Sequence, residues 1–388
     1  MSTAILEPSR PKPAITVTDI RGGVSPGIGR PAIHGHSEIA QPALGPATAA
    51  FPGFSYPGGP VVKCPLVYTS FWGSAWTTDP GHLTRAARLA QYHQDLVGSN
   101  FMNVLNQYGV GKGIYLNTSF FANVPTDLNG AAIQTTLQAA IDGGAIPEPS
   151  GSQCIMVYLQ EGMSVHDGSI VMCAATSDDA FGFHSWFNTK AGHPLYFAII
   201  PSLNDACVKS SCPGGDNGCS LKLTETQEQR QTQVASHEFA EMTTDPQLNA
   251  WYDPANGENG DLCNGEAATI TVGANTWTVQ RTYSKTDDTG APGAIYCRAD
   301  APQPIPKLPN GPASRPGADM LAERVLPHER VLPMPPVYFD LASRKVSRDP
   351  VELKRYVSRA FSPLPHDHLV SDLAGFLREI ADAISAGA

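Results

Sequence analysis

Proline constrains this chain more than any other residue, because many of its 34 prolines crowd, with glycine, into stretches outside the middle of the 388-residue sequence. Proline fixes φ and lacks an N–H, so a Pro-dense segment adds little to a helix or a sheet ladder. Residues 1–60, rich in Pro, Gly, Ala and Ser without an apolar period, therefore read as a flexible arm. Residues 301–336 read as a semi-extended linker. Between them, residues 61–300 are expected to form one globular domain, and residues 337–388 a small helical tail.

Inside the domain the apolar pattern alternates between two periods. Val61–Gly73, Gly113–Phe121, Cys154–Leu159, Ile170–Cys173 and Leu195–Pro201 are short β-branched or aromatic runs, which suit strands. A helix is predicted from about His82, where Leu83, Ala86, Leu89, Tyr92 and Leu96 share a face, and another over Ala131–Ile141 before Gly143-Gly144. Thr269–Val272 and Thr276–Tyr283 alternate like a β-hairpin. The expected class is α/β (α+β): a mixed β-sheet with packed helices. In the tail, Leu369, Leu373, Phe376, Leu377, Ile380 and Ile384 make an amphipathic stripe, suited to docking on the chain itself or to self-association.

Composition narrows the partners. A net charge of -10 argues against nucleic acid, which needs a basic stripe. No window reaches the roughly 20 apolar residues of a membrane span, and the start at Met1 lacks the basic-then-apolar layout of a secretion signal. The cysteines point the other way. All eight fall at positions 64 to 297, and an even count within the folded part suits disulfides and an oxidising, extracellular compartment. The set Cys207, Cys212 and Cys219 reads as a disulfide-pinned loop, with thiolate metal ligands or buried thiols as alternatives. No C-x-x-C pair supports redox chemistry.

The chemistry concentrates in Gln233-Val-Ala-Ser-His237-Glu238-Phe-Ala-Glu241, a zinc-peptidase-like helix with glutamate where a second histidine would stand. Residues four apart share a helix face, so His237 and Glu241 can hold one cation while Glu238 stands where the HExxH pattern puts its general base. A solvated acidic helix is the plain alternative. Thr224, with Gln227 three residues on, is the predicted N-cap, and Asp245-Pro246 the stop. Val234, Ala235, Phe239 and Met242 would pack on the sheet, leaving His237, Glu238 and Glu241 beside a cleft. The loop that follows carries Trp251, Tyr252, Asp253, Glu258 and Asp261. It can supply a third zinc ligand, or a separate hard-cation site from Asp253, Glu258 and Asp261.

The order His237-Glu-Phe-Ala-Glu241, Asp245-Pro-Gln-Leu-Asn249-Ala-Trp251-Tyr252 and Gly260-Asp261-Leu-Cys263 resembles the plant EXORDIUM (phosphate-induced protein) family and its bacterial and fungal relatives. Cys173, Gly182-Phe-His184-Ser and Cys212-Pro-Gly add to the likeness, which covers about residues 61–300. Plant members are secreted and linked to cell-wall-associated growth responses. The resemblance ties His184, His237, Glu241 and Asp261 into one set, and so implies a bound divalent metal, with zinc expected. His184 also fits a turn residue bonded to backbone.

Two functions follow as expectations. One is a zincin-like, peptidase-like hydrolase with Glu238 as base. The other is a non-catalytic module held by metal and disulfides, in which Trp251 and Tyr252 stack on a peptide or polysaccharide.

Overall fold

A computed structural model describes residues 51–167, 170–172, 180–211, 219–291, 294, 296–312, 337–340 and 345–347. The chain divides into two compact units, Met1–Val346 and Ser347–Ala388, and all the described residues but Ser347 lie in the first. The tail stripe from Leu369 to Ile384 lies outside the described residues, as do His34, Cys173 and Cys212.

The first half runs β1 (Leu66–Trp72), α1 (Ala75–Thr78), α2 (Pro80–Gly98), α3 (Phe101–Leu105), β2 (Ile114–Phe121), β3 (Asp127–Leu128), α4 (Gly130–Asp142) and β4 (Gln153–Leu159). It continues with β5 (Ser164–Asp167), β6 (Ile170–Val171), β7 (Phe183–Asn188), β8 (Pro194–Ile200), α5 (Asp205–Ser211) and α6 (Gln227–Thr244). The last elements are β9 (Tyr252–Asp253), β10 (Gly257–Glu258), β11 (Ala267–Val272), β12 (Asn275–Gln280), β13 (Thr282–Tyr283), β14 (Cys297–Arg298), β15 (Val337–Asp340) and β16 (Lys345–Ser347).

The main sheet has the order β16-β15-β2-β1-β4-β8-β7. Strands β15, β2, β1, β4 and β8 pair parallel, and β7 closes the edge antiparallel to β8, with His184 opposite Ala198. All seven residues of β4 are buried, as expected of a central strand covered on both faces. One face carries the larger core with α2 and α6; the other packs Ile133, Leu137 and Ala140 of α4 against Ile155, Val157 and Ile199. The mixed α/β class is thus the one expected from the alternating pattern.

Helix α6 departs from its predicted surroundings. Sheet strands β4, β7 and β8 lie against it on one side, and β12 of the β11–β12 hairpin on another. Every residue from Arg230 to Thr244 is buried, so His237, Glu238 and Glu241 sit inside the molecule and not along an open cleft. Its cap is also two residues later than predicted. Thr226 Oγ1 accepts from Gln229 N (3.2 Å) while Gln229 Oε1 accepts from Thr226 N (2.8 Å), a reciprocal capping box. The shift has a local cause: the buried Arg230 guanidinium donates to Lys222 O, Leu203 O and Glu225 O, which keeps residues 222–225 outside the helix, wrapped around it.

Further departures trace to long-range packing. The expected arm 1–60 is ordered in its last part: Phe51 and Phe54 are core residues, and Gly59 N donates to Asn249 O. The start of the expected linker is docked too, with Ala301, Ile305 and Leu308 N–H groups donating to the carbonyls of Asn100, Asn103 and Gln107. Residues 337–340 and 345–347 are strands where a helical tail is expected. Ile170–Val171 pairs antiparallel with β5, outside the main sheet. No described helix is long and apolar enough to cross a membrane.

Candidate metal centre

Three segments bring the candidate residues together. Helix α6 supplies His237, Glu238 and Glu241; the antiparallel edge strand β7 supplies His184; and the turn from β10 to Cys263 supplies Glu258 and Asp261. His184 is therefore a strand residue and not part of a turn. Two glycines permit the close approach. A Cβ on Gly182 would lie 2.8 Å from Glu238 Oε1, and one on Gly260 would lie 2.8 Å from Glu241 Oε1 and 2.9 Å from His237 Nδ1.

The donors form two overlapping triads, His237–Glu241–Asp261 and His184–Glu241–Glu258, each with ligand atoms within 4.8 Å of one another. His237 Nε2 is 3.0 Å from Glu241 Oε1 and 3.8 Å from Asp261 Oδ1. His184 Nδ1 is 3.7 Å from both Glu238 Oε2 and Glu241 Oε2, and its Nε2 is 3.7 Å from Glu258 Oε1. The turn is tied to the helix, since Asp261 N donates to Glu241 Oε1 (3.0 Å) and Glu258 N to Asp261 Oδ2 (2.8 Å).

Burial and charge compete here. Burial disfavours the His237 imidazolium, yet the Glu241 carboxylate beside it lifts its pKa to about 9. His184 is likewise opposed by burial but raised well above its ordinary value by Glu258, Glu238 and Glu241. Burial pushes Glu241 up, and the two imidazoles overcome it and hold the group down to about 2. Glu258 and Asp261 are pushed well above the carboxylate range by burial, and Glu238 upward by the same cause.

A divalent cation fits this set. Separations of 3.7 Å are too long for hydrogen bonds, so both nitrogens of His184, both oxygens of Glu258 and Asp261 Oδ1 are buried without a hydrogen-bond partner. Unsatisfied buried polar atoms are costly. A cation among them would take lone pairs from carboxylate oxygens and from one nitrogen of His184, and displace the protons that burial otherwise favours. Imidazole nitrogens with carboxylate oxygens are ordinary ligands of zinc and of other divalent ions. Buried His, Glu and Asp groups are thus positioned to bind a metal ion.

Other expected residues lie elsewhere. Trp251 is 2% exposed, stacks on Phe54 and Tyr56, and donates its indole N–H to Tyr108 O (3.0 Å). Both ring faces thus meet the chain itself, which leaves no face for a ligand. Tyr252 is partly buried and its backbone bridges Ser55. Asp253 Oδ1 accepts from Ala255 N, Asn256 N and Asn256 Nδ2, so it closes its own turn and stands in neither triad. Asp245 accepts from Asn249 N (2.6 Å) and Ala250 N (2.5 Å), while burial pushes its pKa up to about 6.

Sequence reasoning missed Gln280 altogether. Its amide nitrogen lies 2.6 Å from His237 Nδ1 and donates to Gly260 O at 2.9 Å. A glutamine at the end of an alternating strand, next to Val279 on the β12 run, is the signal for it. The disulfide Cys263–Cys297 closes just beyond Asp261. Cys207 and Cys219 are also disulfide-bonded, whereas Cys64 and Cys154 are free, so the expectation of paired cysteines fails for those two. No family model, no curated protein and no solved structure matches this chain.

Proposed function

We propose that this chain is a zincin-like, metal-dependent hydrolase acting on a peptide-like substrate, with His237, Glu241 and Asp261 as ligands and Glu238 as general base. The observation that supports it is the position of Glu238. It follows the ligand His237 on α6 without belonging to either triad, and its Oε2 lies 3.7 Å from His184 Nδ1, beside the ligand set. A bound zinc would supply Lewis acidity to a carbonyl and to water. Glu238 then takes the water's proton and returns it to the leaving group. As a ligand, Glu241 would add negative charge compared with a histidine and so weaken the Lewis acid, which predicts slow turnover or none.

The test is Glu238→Gln, assayed on fluorogenic casein with metal content measured in parallel. Retained metal with hydrolysis reduced by about 10²-fold or more supports the reading. A variant that binds metal and hydrolyses as fast as the parent rejects it.

A second reading is favoured by the closure of the centre, since structural metal sites are closed and catalytic ones keep an open position. Each named ligand side chain is at most 3% exposed. In that reading the ion and the Cys263–Cys297 bond hold the turn in a non-catalytic binding module. Chelation that lowers the unfolding temperature of a parent devoid of hydrolytic activity would select it.

A further inference from the structure

The two oxygens of Glu241 face different histidines. Oε1 lies 3.0 Å from His237 Nε2, with Asp261 Oδ1 3.8 Å from the same nitrogen, and Oε2 lies 3.7 Å from His184 Nδ1, whose ring turns Nε2 to Glu258 Oε1 at 3.7 Å. We infer that the centre takes two divalent cations, bridged by the Glu241 carboxylate, with His237 and Asp261 completing one site and His184 and Glu258 the other. This rests on the metal-centre reading above and extends it from one ion to two.

Charge leads to the same count. Glu238, Glu241, Glu258 and Asp261 are all buried, and among the described residues the only cations paired with them are the imidazoles of His184 and His237. An imidazole ligates only when neutral. One divalent ion in the His237 site, with His184 left as the imidazolium, would still leave one uncompensated carboxylate charge in the interior, where unpaired charge is costly. Two divalent ions balance all four carboxylates and allow both imidazoles to be neutral ligands.

The second site also has its own unmet donors. His184 is fully buried with neither ring nitrogen hydrogen-bonded, and both Glu258 oxygens are in the same condition. A single ion held by His237, Glu241 and Asp261 satisfies none of these four atoms. Two-metal hydrolytic sites hold their ions about 3.5–4 Å apart, a span that one shared carboxylate can bridge.

The experiment is metal counting and electron paramagnetic resonance on the full chain loaded with manganese(II), then cleared of excess. About two ions per chain with an exchange-coupled multiline spectrum is the expected result. One ion with an isolated six-line spectrum overturns the second site and leaves the hydrolase proposal standing; no bound ion overturns both. Glu258→Gln and Asp261→Asn, checked for native circular dichroism, should each retain about one ion, and a folded Glu258→Gln that still holds two refutes the assignment. If either variant fails to fold, the spectrum of the parent decides.

Discussion

The amide of Gln280 lies 2.6 Å from His237 Nδ1, so the residue that closes the β12 strand sets the direction in which the helix histidine presents its other nitrogen. The same amide donates to Gly260 O and its carbonyl accepts from Gly265 N (3.2 Å), which fixes Gln280 against both ends of the ligand turn. A metal-binding imidazole is oriented by an acceptor on its other N–H, so ligation through His237 Nε2 calls for the Gln280 amide to be flipped, with its oxygen accepting from Nδ1–H. Gln280→Ala should therefore weaken metal binding by about 10–100-fold with the fold intact, as read by competition with a chromophoric chelator. Unchanged affinity would show that the contact does not orient His237.

The Cys263–Cys297 bond spans 34 residues and begins two positions after Asp261. Loop-closure entropy for a ring of this size is worth about 3–4 kcal/mol. Cys297→Ala is expected to lose stability on that scale in urea unfolding, and to lose metal affinity because the turn carrying Asp261 loosens. A variant equal to the parent in both measurements contradicts the coupling.

His93 offers a pH effect away from the centre. It is fully buried with Nε2 2.7 Å from the Tyr158 hydroxyl, and burial holds its pKa down to about 3. Below the unfolded value near ~6.5 the unfolded chain binds a proton that the native chain refuses. Its stabilising share is therefore complete above that pH and is lost as pH falls towards the native pKa, at about 1.4 kcal/mol per pH unit. From about pH 7 to about pH 4.5, the parent should lose roughly 2–3 kcal/mol more than His93→Gln in urea titrations. Parallel losses in the two proteins would assign the acid sensitivity elsewhere.

Trp251 tests core against ligand platform. Its ring is enclosed by Phe54, Tyr56 and Tyr108, with centroids 5.1 to 5.9 Å away. Trp251→Ala should cost about 3–5 kcal/mol of stability, measured by denaturant unfolding. A cost below about 1 kcal/mol would return the residue to the surface role expected of an exposed aromatic.

Local pattern carried part of this protein. The strands β1, β2, β4 and β8, the helices α2 and α4, and the β11–β12 hairpin announce themselves through apolar periods that depend only on neighbouring residues. His237 and Glu241 were legible for the same reason, because a four-residue spacing on one helix fixes their proximity. His184 and Asp261 were legible only through the family resemblance, and Glu258 only as a loop acid, because spacing says nothing of their long-range partners. His184 reaches Glu241 only because β7 pairs antiparallel on the β8 edge, and Glu258 reaches His184 only because Gly260 lets its turn lie on the helix. Nothing in a run of residues states that the β11–β12 hairpin covers the second side of α6. That covering turned an expected cleft-side motif into a buried centre. Sequence by itself determined which donor types lie on the helix and at what spacing; tertiary structure alone decided their burial, their partners and the orientation of Trp251. The physical reason is that period and spacing are properties of a few adjacent residues, whereas desolvation and ligand convergence belong to segments far apart in the chain.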